Sequence, residues 1–431
     1  MNITVVGTGY VGLVTGTILA DLGHCVTCLD VDKNKISLLQ TKKSPIHEPG
    51  LEELMIKNME QSRLLFTTDV QKGFENSDFI FIAVGTPQAA TGEADLTYVR
   101  QVAKDIAKTI DHDVIVVIKS TVPVGTNDEV GQIIYQNLTH DVKVDVVSSP
   151  EFLREGHAVY DSFNGDRIVV GSENEQAREK VANLFTKLNI PIYKTDSRSA
   201  EMIKYAANVF LATKISFINE IANMCDHLGA DVLAVAEGMG MDQRIGRRFL
   251  NAGIGYGGSC FPKDTYALQY QAQKNGYDFL IIDSVIKTNE LQKIRFLNKV
   301  KRRLGFLVDK KIAVLGLAFK PETDDTREAP STTIIQKLLE EGAFVTAFDP
   351  IVKGLPNIVH PNLKYVSSLE EAISNTEAVL LLTEWNEFKL ADWKQLSETV
   401  SNPVIFDGRN FLGCKQMNES GWEYEGIGVK G

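Results

Sequence analysis

An α/β protein with two doubly wound parallel-sheet domains, joined by one long helix and a helical middle, is what the sequence predicts. Three observations carry this. Between residues 3 and 148 short β-branched runs alternate with segments of helical period. Near residue 199 the alternation stops, and one helical pattern continues for about 30 residues. From residue 311 the alternation resumes. Alternating strands and helices imply a parallel sheet covered on both faces.

In chain order, Ile3–Val6, Cys25–Asp30, Phe79–Val84, Val114–Lys119 and Val144–Ser148 read as strands of the first domain, because each is a short, β-branched, apolar run. Met202, Tyr205, Val209, Phe217, Ile221 and Met224 then recur at helical spacing until Gly229 supplies a stop. At 1.5 Å per residue that helix is about 45 Å long, enough to run the length of a domain and connect two others. After a mainly helical stretch to Arg303, Lys311–Leu315, Phe344–Phe348, Ala378–Leu382 and Pro403–Phe406 are the strands of a second open domain. Both halves begin with a strand that ends in glycine, Gly7 and Gly316, and both have a later strand that ends in aspartate, Asp30 and Asp349. The boundaries expected from this reading are 1–198, 199–303 and 304–431.

With 431 residues, 44% hydrophobic and 23% charged, the chain has the composition of a packed globular protein. A net charge of −11 argues against a broad basic surface for nucleic acid or anionic lipid. An anionic small ligand would need local Lys and Arg. Five cysteines in so long a chain argue against a disulfide framework, and a reducing cytoplasm is expected. The first strand starts at Ile3 with no basic-then-apolar stretch before it, and the longest apolar runs are strand length. We therefore expect neither an export leader nor a membrane span.

The first chemical motif is Gly7-Thr8-Gly9-Tyr10-Val11-Gly12, which follows a strand and opens a helix. The first glycine permits a tight turn, the second lets backbone approach a pyrophosphate at the helix N-terminus, and the third lets helix pack on strand. Asp30 closes the next strand and is placed to accept hydrogen bonds from a ribose diol. A carboxylate there repels a 2′-phosphate, so NAD is expected rather than NADP.

The second motif is Gly253-Ile254-Gly255-Tyr256-Gly257-Gly258-Ser259-Cys260-Phe261-Pro262-Lys263-Asp264. It sets a thiol among glycines, beside a cation and a carboxylate, whereas inert cysteines normally sit among apolar residues in regular elements. Cys25 and Cys28 belong to a strand, face opposite sides, and have no second Cys or His pair, so no metal site is expected. Cys225 and Cys414 read as structural. On the long helix Lys204 and Asn208 are one turn apart on one face, in the apolar setting Met202-Ile203-Lys204-Tyr205-Ala206-Ala207, and together suit one oxyanion. Ser149-Pro150-Glu151-Phe152-Leu153-Arg154-Glu155-Gly156 follows a strand, at the sheet end where open α/β sheets bind ligands; its two carboxylates suit the positioning of water.

Taken together, these residues, Gly258-Ser259-Cys260-Phe261-Pro262-Lys263-Asp264 above all, resemble the UDP-glucose 6-dehydrogenase family, within the wider NAD-dependent nucleotide-sugar dehydrogenases. The resemblance covers essentially the whole chain. It implies an N-terminal Rossmann-like NAD domain, a central helical dimerisation domain, and a C-terminal Rossmann-like domain for the nucleotide sugar. The implied reaction oxidises a sugar C6 alcohol to a carboxylate with two NAD and no release of aldehyde. By resemblance Cys260 is the covalent nucleophile, Lys204 and Asn208 hold the oxyanion, Asp264 handles protons, and Thr121 and Glu151 position water.

The same resemblance assigns NAD contacts to Gly7, Gly9, Tyr10, Val11, Gly12, Asp30, Lys35, Thr86, Thr121, Glu155, Lys263 and Arg327. It assigns the nucleotide sugar to Glu151, Phe152, Leu153, Lys204, Asn208, Phe249, Asn251, Gly257, Cys260, Phe319, Lys320 and Arg409. Arg244 matches the residue that reaches a sugar bound in a partner subunit, so a homodimer is expected; Asn251 stands where some members carry lysine. UDP-glucose is the expected substrate. The alternatives are GDP-mannose, UDP-N-acetylmannosamine, or a catalytically silent nucleotide-sugar sensor, against which the intact set Cys260, Lys204, Asn208 and Asp264 argues.

Overall fold

In a computed structural model that describes residues 1–429, the chain forms two compact units, Met1–Ala207 and a second beginning at Asn208. The first unit holds strands β1 (Asn2–Val6), β2 (Cys25–Leu29), β3 (Leu64–Thr67), β4 (Phe79–Ile82), β5 (Val114–Ile118), β6 (Val144–Ser148), β7 (Ile168–Gly171) and β8 (Ile192–Thr195). Their order in the sheet is β3-β2-β1-β4-β5-β6-β7-β8. From β3 to β6 all pairs are parallel; β7 joins β6 through one antiparallel pair, Ser148 with Gly171.

Both faces of this sheet are covered, which explains the unbroken apolar runs. Phe79 and Phe81 of β4 point into one core with Leu13, Leu19 and Phe185, while Ile80 and Ile82 point into the other with Val99, Val102 and Ile106. Alternate side chains of a strand go to opposite faces, so a strand buried on both must be apolar throughout.

The second unit contains β9 (Lys311–Leu315), β10 (Phe344–Phe348), β11 (Leu363–Tyr365), β12 (Ala378–Leu381), β13 (Val404–Asp407) and β14 (Glu423–Glu425), in the order β11-β10-β9-β12-β13-β14 and all parallel. Counted from its own first strand, this is the order of the first six strands in the other sheet. The sheet reverses direction beside β9 just as the first does beside β1, the switch point where such sheets bind ligands.

The expected long helix is Ser197–Leu228, 32 residues or about 48 Å. It begins in the first unit and continues into the second. Helices Val232–Gly240, Phe261–Lys274 and Leu280–Leu304 complete the helical middle. Among the described residues no helix is long and apolar enough to cross a membrane.

Candidate active site

Each unit carries part of the predicted chemistry. In the first, Gly7 has φ 98° and sits where a Cβ would lie 2.6 Å from the Ala83 carbonyl oxygen; a Cβ on Gly12 would overlap the Gly7 carbonyl. Gly9 differs. Nothing lies within 4 Å of its absent Cβ, and it begins the helix Tyr10–Asp21 without a side-chain cap. With open space beside Gly9 and no side-chain cap on the first-turn N–H groups, this helix start suits an anion, and a side chain at position 9 would intrude on it.

Asp30 lies beside this turn. Its Oδ2 accepts from the Thr8 N–H and the Thr8 hydroxyl, both at 2.7 Å, and Oδ1 accepts from Asp32 N–H at 3.0 Å. Burial alone would raise its carboxyl; the bonds from Asp32 and Thr8 and the Lys35 ammonium at 3.8 Å outweigh that and hold it below the usual range. It is thus an anion beside that helix start, fitted to a diol and opposed to a phosphate. The residues present fit NAD.

Of the other residues singled out in the first unit, Thr86, Thr121 and Glu151 follow β4, β5 and β6, while Tyr10 and Val11 open the first helix. The buried Thr86 donates to the Thr121 carbonyl at 2.9 Å. Val11 is half-buried in the first helical turn. The Tyr10 hydroxyl bonds to the Glu48 carboxylate and accepts from Gly156 N–H at 2.5 Å; burial and the charges of Glu48 and Glu155 push its pKa up.

Glu151 and Lys204 form a buried ion pair at 2.9 Å, with side chains only 5% and 4% exposed. The second Glu151 oxygen accepts from Leu153 N–H at 2.6 Å. Phe152 is held by the Arg167 guanidinium, 4.0 Å from the ring centre, with Lys204 Nζ at 5.4 Å.

In the second unit Asn208 donates Nδ2–H to Asp264 Oδ2 at 2.6 Å, and Lys263 Nζ meets Asp264 Oδ1 at 2.6 Å. Asp264 is 1% exposed. Cys260 is the N-cap of Phe261–Lys274, with Pro262 in the first turn, and its Sγ lies 3.6 Å from the Ser259 hydroxyl. A helix N-terminus favours the anionic form of a group placed there. Among the described residues no disulfide forms.

The glycines ahead of Cys260 are required by close packing. A Cβ on Gly258, which has φ 84°, would fall 2.7 Å from the Phe319 ring, and one on Gly257 would overlap the Glu328 carbonyl. Arg409 spans the second sheet's ligand end, donating to the carbonyls of Leu382, Gly255 and Phe319 at 2.8, 2.9 and 3.2 Å. Lys320 Nζ stands 5.2 Å from the Phe319 ring centre.

Phe249, at φ 65°, packs its ring 6.2 Å from that of Phe261. Asn251 accepts from Arg247 at 2.8 Å. Arg244 and Arg327 stay largely exposed and are bound by neighbouring carboxylates, Asp242 and Asp325.

Sequence reasoning missed several buried groups. Lys119 donates to the Pro150 carbonyl at 3.3 Å. Glu48 accepts from Gly156 N–H at 2.7 Å. Asp407 accepts from the N–H groups of Arg409, Phe411 and Leu412.

A dinucleotide-dependent oxidoreductase with a loop-borne thiol is the class this chemistry describes. Three models of the UDP-glucose/GDP-mannose dehydrogenase family match the chain: its NAD binding domain over residues 1–189, its central domain over 198–291, and its UDP binding domain over 313–413. The chain belongs to that family. It is 52% identical to the UDP-glucose 6-dehydrogenase YwqF of Bacillus subtilis, covering 100% of this chain and 98% of the relative. Identity to TuaD, a UDP-glucose 6-dehydrogenase of the same organism, is 48%, over 99% of this chain and 93% of the other. A UDP-glucose dehydrogenase structure from Pyrobaculum islandicum superposes with a TM-score of 0.93 at 37% identity, covering 99% of this chain and 98% of that one.

Proposed function

We propose that this chain is an NAD-dependent UDP-glucose 6-dehydrogenase, which takes the C6 alcohol of the sugar through two oxidations to UDP-glucuronate. The observation that carries the reading is the pair of donors on one helix, Lys204 and Asn208, one turn apart and each bound by a buried carboxylate. NAD, when bound, supplies the hydride acceptor for both oxidations.

In this reading the Gly7–Gly12 turn and Asp30 bind NAD, with Tyr10, Val11, Lys35, Thr86, Thr121, Glu155, Lys263 and Arg327 around it. Phe152, Leu153, Phe249, Asn251, Gly257, Phe319, Lys320 and Arg409 line the nucleotide sugar, and Arg244 reaches that of a second copy. The Cys260 thiolate adds to the C6 aldehyde and holds it as a thiohemiacetal, then as a thioester. Each tetrahedral oxygen gains negative charge. Lys204 and Asn208 are fixed before it develops, which is what makes such donors effective. One Nδ2–H of Asn208 donates to Asp264 Oδ2, which fixes the amide so that its second N–H is free to donate to the oxyanion. Glu151 and Thr121 orient the water that hydrolyses the thioester.

The test is stoichiometry with a variant. The enzyme yields two NADH per UDP-glucose; one NADH with free aldehyde refutes four-electron oxidation. Cys260→Ser binds both ligands and loses turnover by orders of magnitude, the hydroxyl being a far poorer nucleophile near neutral pH. Faster turnover of GDP-mannose or UDP-N-acetylmannosamine would reassign the sugar.

The remaining assignments rest on separate observations. The three parts 1–198, 199–303 and 304–431 have joins near those of the family's domain models. A homodimer is supported by Phe210, Phe217 and Met224, which recur every seven residues on the long helix and are at least half exposed, an apolar stripe for a second copy to cover. Sedimentation at twice the chain mass is expected, and a monomer at micromolar concentration would refute it. Dependence on a reduced Cys260 thiol favours the cytoplasm.

A further inference from the structure

Lys119 is a buried charge that the mechanism above leaves unused. It follows β5, its backbone N–H donating to the Ile82 carbonyl at 2.9 Å, and the residue is only 8% exposed. Its side chain runs under the segment that bears Glu151. Nζ donates to the Pro150 carbonyl at 3.3 Å, one residue before Glu151, and lies 5.7 Å from the centre of the Phe185 ring.

The charged groups that face Lys119 are Glu151 and Lys204. Two buried ammonium groups therefore act on one buried carboxylate, though only Lys204 bonds to it directly. Burial drives Lys119 down from 10.5 to about 8; the Glu151 carboxylate opposes that and Lys204 adds to it. An apolar side chain of similar length would fill the same space without this desolvation cost. What the lysine adds is charge beside Glu151 and a donor to the peptide that carries it.

We propose that Lys119 is a positioning residue for the hydrolytic half of the reaction: its charge holds the Glu151 carboxylate in the place from which it orients water onto the thioester. This rests on the function proposed above. In that step the water oxygen bonds to the acyl carbon and the C–S bond breaks, its electron pair leaving on the Cys260 sulfur. The proton lost by water passes through Glu151 to solvent. Lys119 touches none of the reacting atoms, so the two hydride transfers and the binding of both ligands should survive its loss.

The experiment compares the parent with Lys119→Met and Lys119→Gln by rapid mixing and by intact mass after quenching. Both variants are expected to give a burst of NADH at the parent rate, then a steady state slower by about tenfold or more, with KM for UDP-glucose falling along with kcat and kcat/KM within about threefold of the parent. An acyl adduct should accumulate on Cys260. Glutamine keeps a donor for the Pro150 carbonyl and discards the charge, so it decides the matter if the methionine variant does not fold. A glutamine variant that hydrolyses at the parent rate, or slows with no adduct, overturns the role of Lys119. A parent enzyme that makes one NADH per sugar would instead overturn the four-electron reading itself, before any variant is compared.

Discussion

β1 and β9 each run into a glycine with positive φ, Gly7 at 98° and Gly316 at 94°, and each neighbouring strand leads to an aspartate, Asp30 after β2 and Asp349 after β10. The two turns then diverge. In the first unit a helix starts at Tyr10, directly after Gly9; in the second, Leu317, Ala318 and Phe319 follow the glycine and the helix begins only at Pro330.

Asp30 accepts from three donors and its side chain stays 12% exposed. Asp349 accepts from five, the N–H groups of Leu317, Ala318, Ile351 and Val352 and the Trp385 indole, and is 2% exposed. A carboxylate has about four lone-pair sites, so Asp349 is saturated while Asp30 keeps capacity for a ligand. The strand order and the glycine–aspartate pairing thus define a frame, and the donors around the aspartate decide whether it is left free to take a ligand, as the proposed function asks of Asp30, or is used up in fastening a loop.

That contrast has its largest expected consequence in stability. Asp349→Ala strands five donors in a closed site and should cost about 3–5 kcal/mol, the range for removing one partner of a buried charged network. Asp30→Ala, with fewer donors and water at hand, should cost about 1 kcal/mol. Urea unfolding of both variants measures the difference, and equal losses would erase the distinction between reader and fastener.

The sequence made the frame legible because the central strands are buried on both faces and must be apolar: all of β1, β2, β4, β5, β6, β9, β10, β12 and β13 are foreseen to within two residues at either end. The strands it hid are β3, β7, β8, β11 and β14. Several of these are half-polar, as in Ile192–Thr195, Leu363–Tyr365 and Glu423–Glu425, and carry no pattern to separate them from loop.

The site divides the same way. Glycine spacing and the Cys260 loop are local signals, and Lys204 stood out by its apolar neighbours. Lys119 gives no such signal, because its burial is produced by Pro150, Glu151, Phe185 and Lys204, all distant in sequence.

A second contrast lies at β5 and β13, which hold the same place in their sheets: Lys119 directly follows the first and Asp407 ends the second, both buried charges. Burial raises the Asp407 carboxyl from 3.8 to about 6, against the bonds from Leu412, Arg409, Tyr424 and Phe411. The folded chain therefore binds that proton more tightly than the unfolded chain does. Its contribution to stability is full below pH 3.8 and is lost as pH rises to about 6, a change of about 3 kcal/mol. Lys119, lowered from 10.5 to about 8, has the opposite sign: stability is gained as pH rises from 8 to 10.5. Unfolding free energies of Asp407→Asn and Lys119→Met, each subtracted from the parent across its own window, should slope in opposite directions. Slopes of one sign would mean that the two sites do not mirror each other.

The smallest expected effect separates the two aspartates by ligand rather than by stability. Asp30 is an anion at neutral pH and is bonded to Thr8 in the Gly7–Gly12 turn; in the function proposed above a ribose diol donates a hydrogen bond to it and a 2′-phosphate meets repulsion. Removing it should lower kcat/KM for NAD by about 10- to 100-fold, or about 1.4–2.7 kcal/mol. The loss for NADP should be smaller, because the Lys35 ammonium, 3.8 Å from the Asp30 carboxylate, remains to meet the added phosphate. Asp30→Ala should thus narrow the preference for NAD from both sides, and Asp30→Ala combined with Lys35→Ala should leave little choice between the cofactors. Parallel assays with NAD and NADP read this directly. A preference unchanged in Asp30→Ala would mean that the ribose is recognised elsewhere, and that Asp30, like Asp349, serves only to hold its turn.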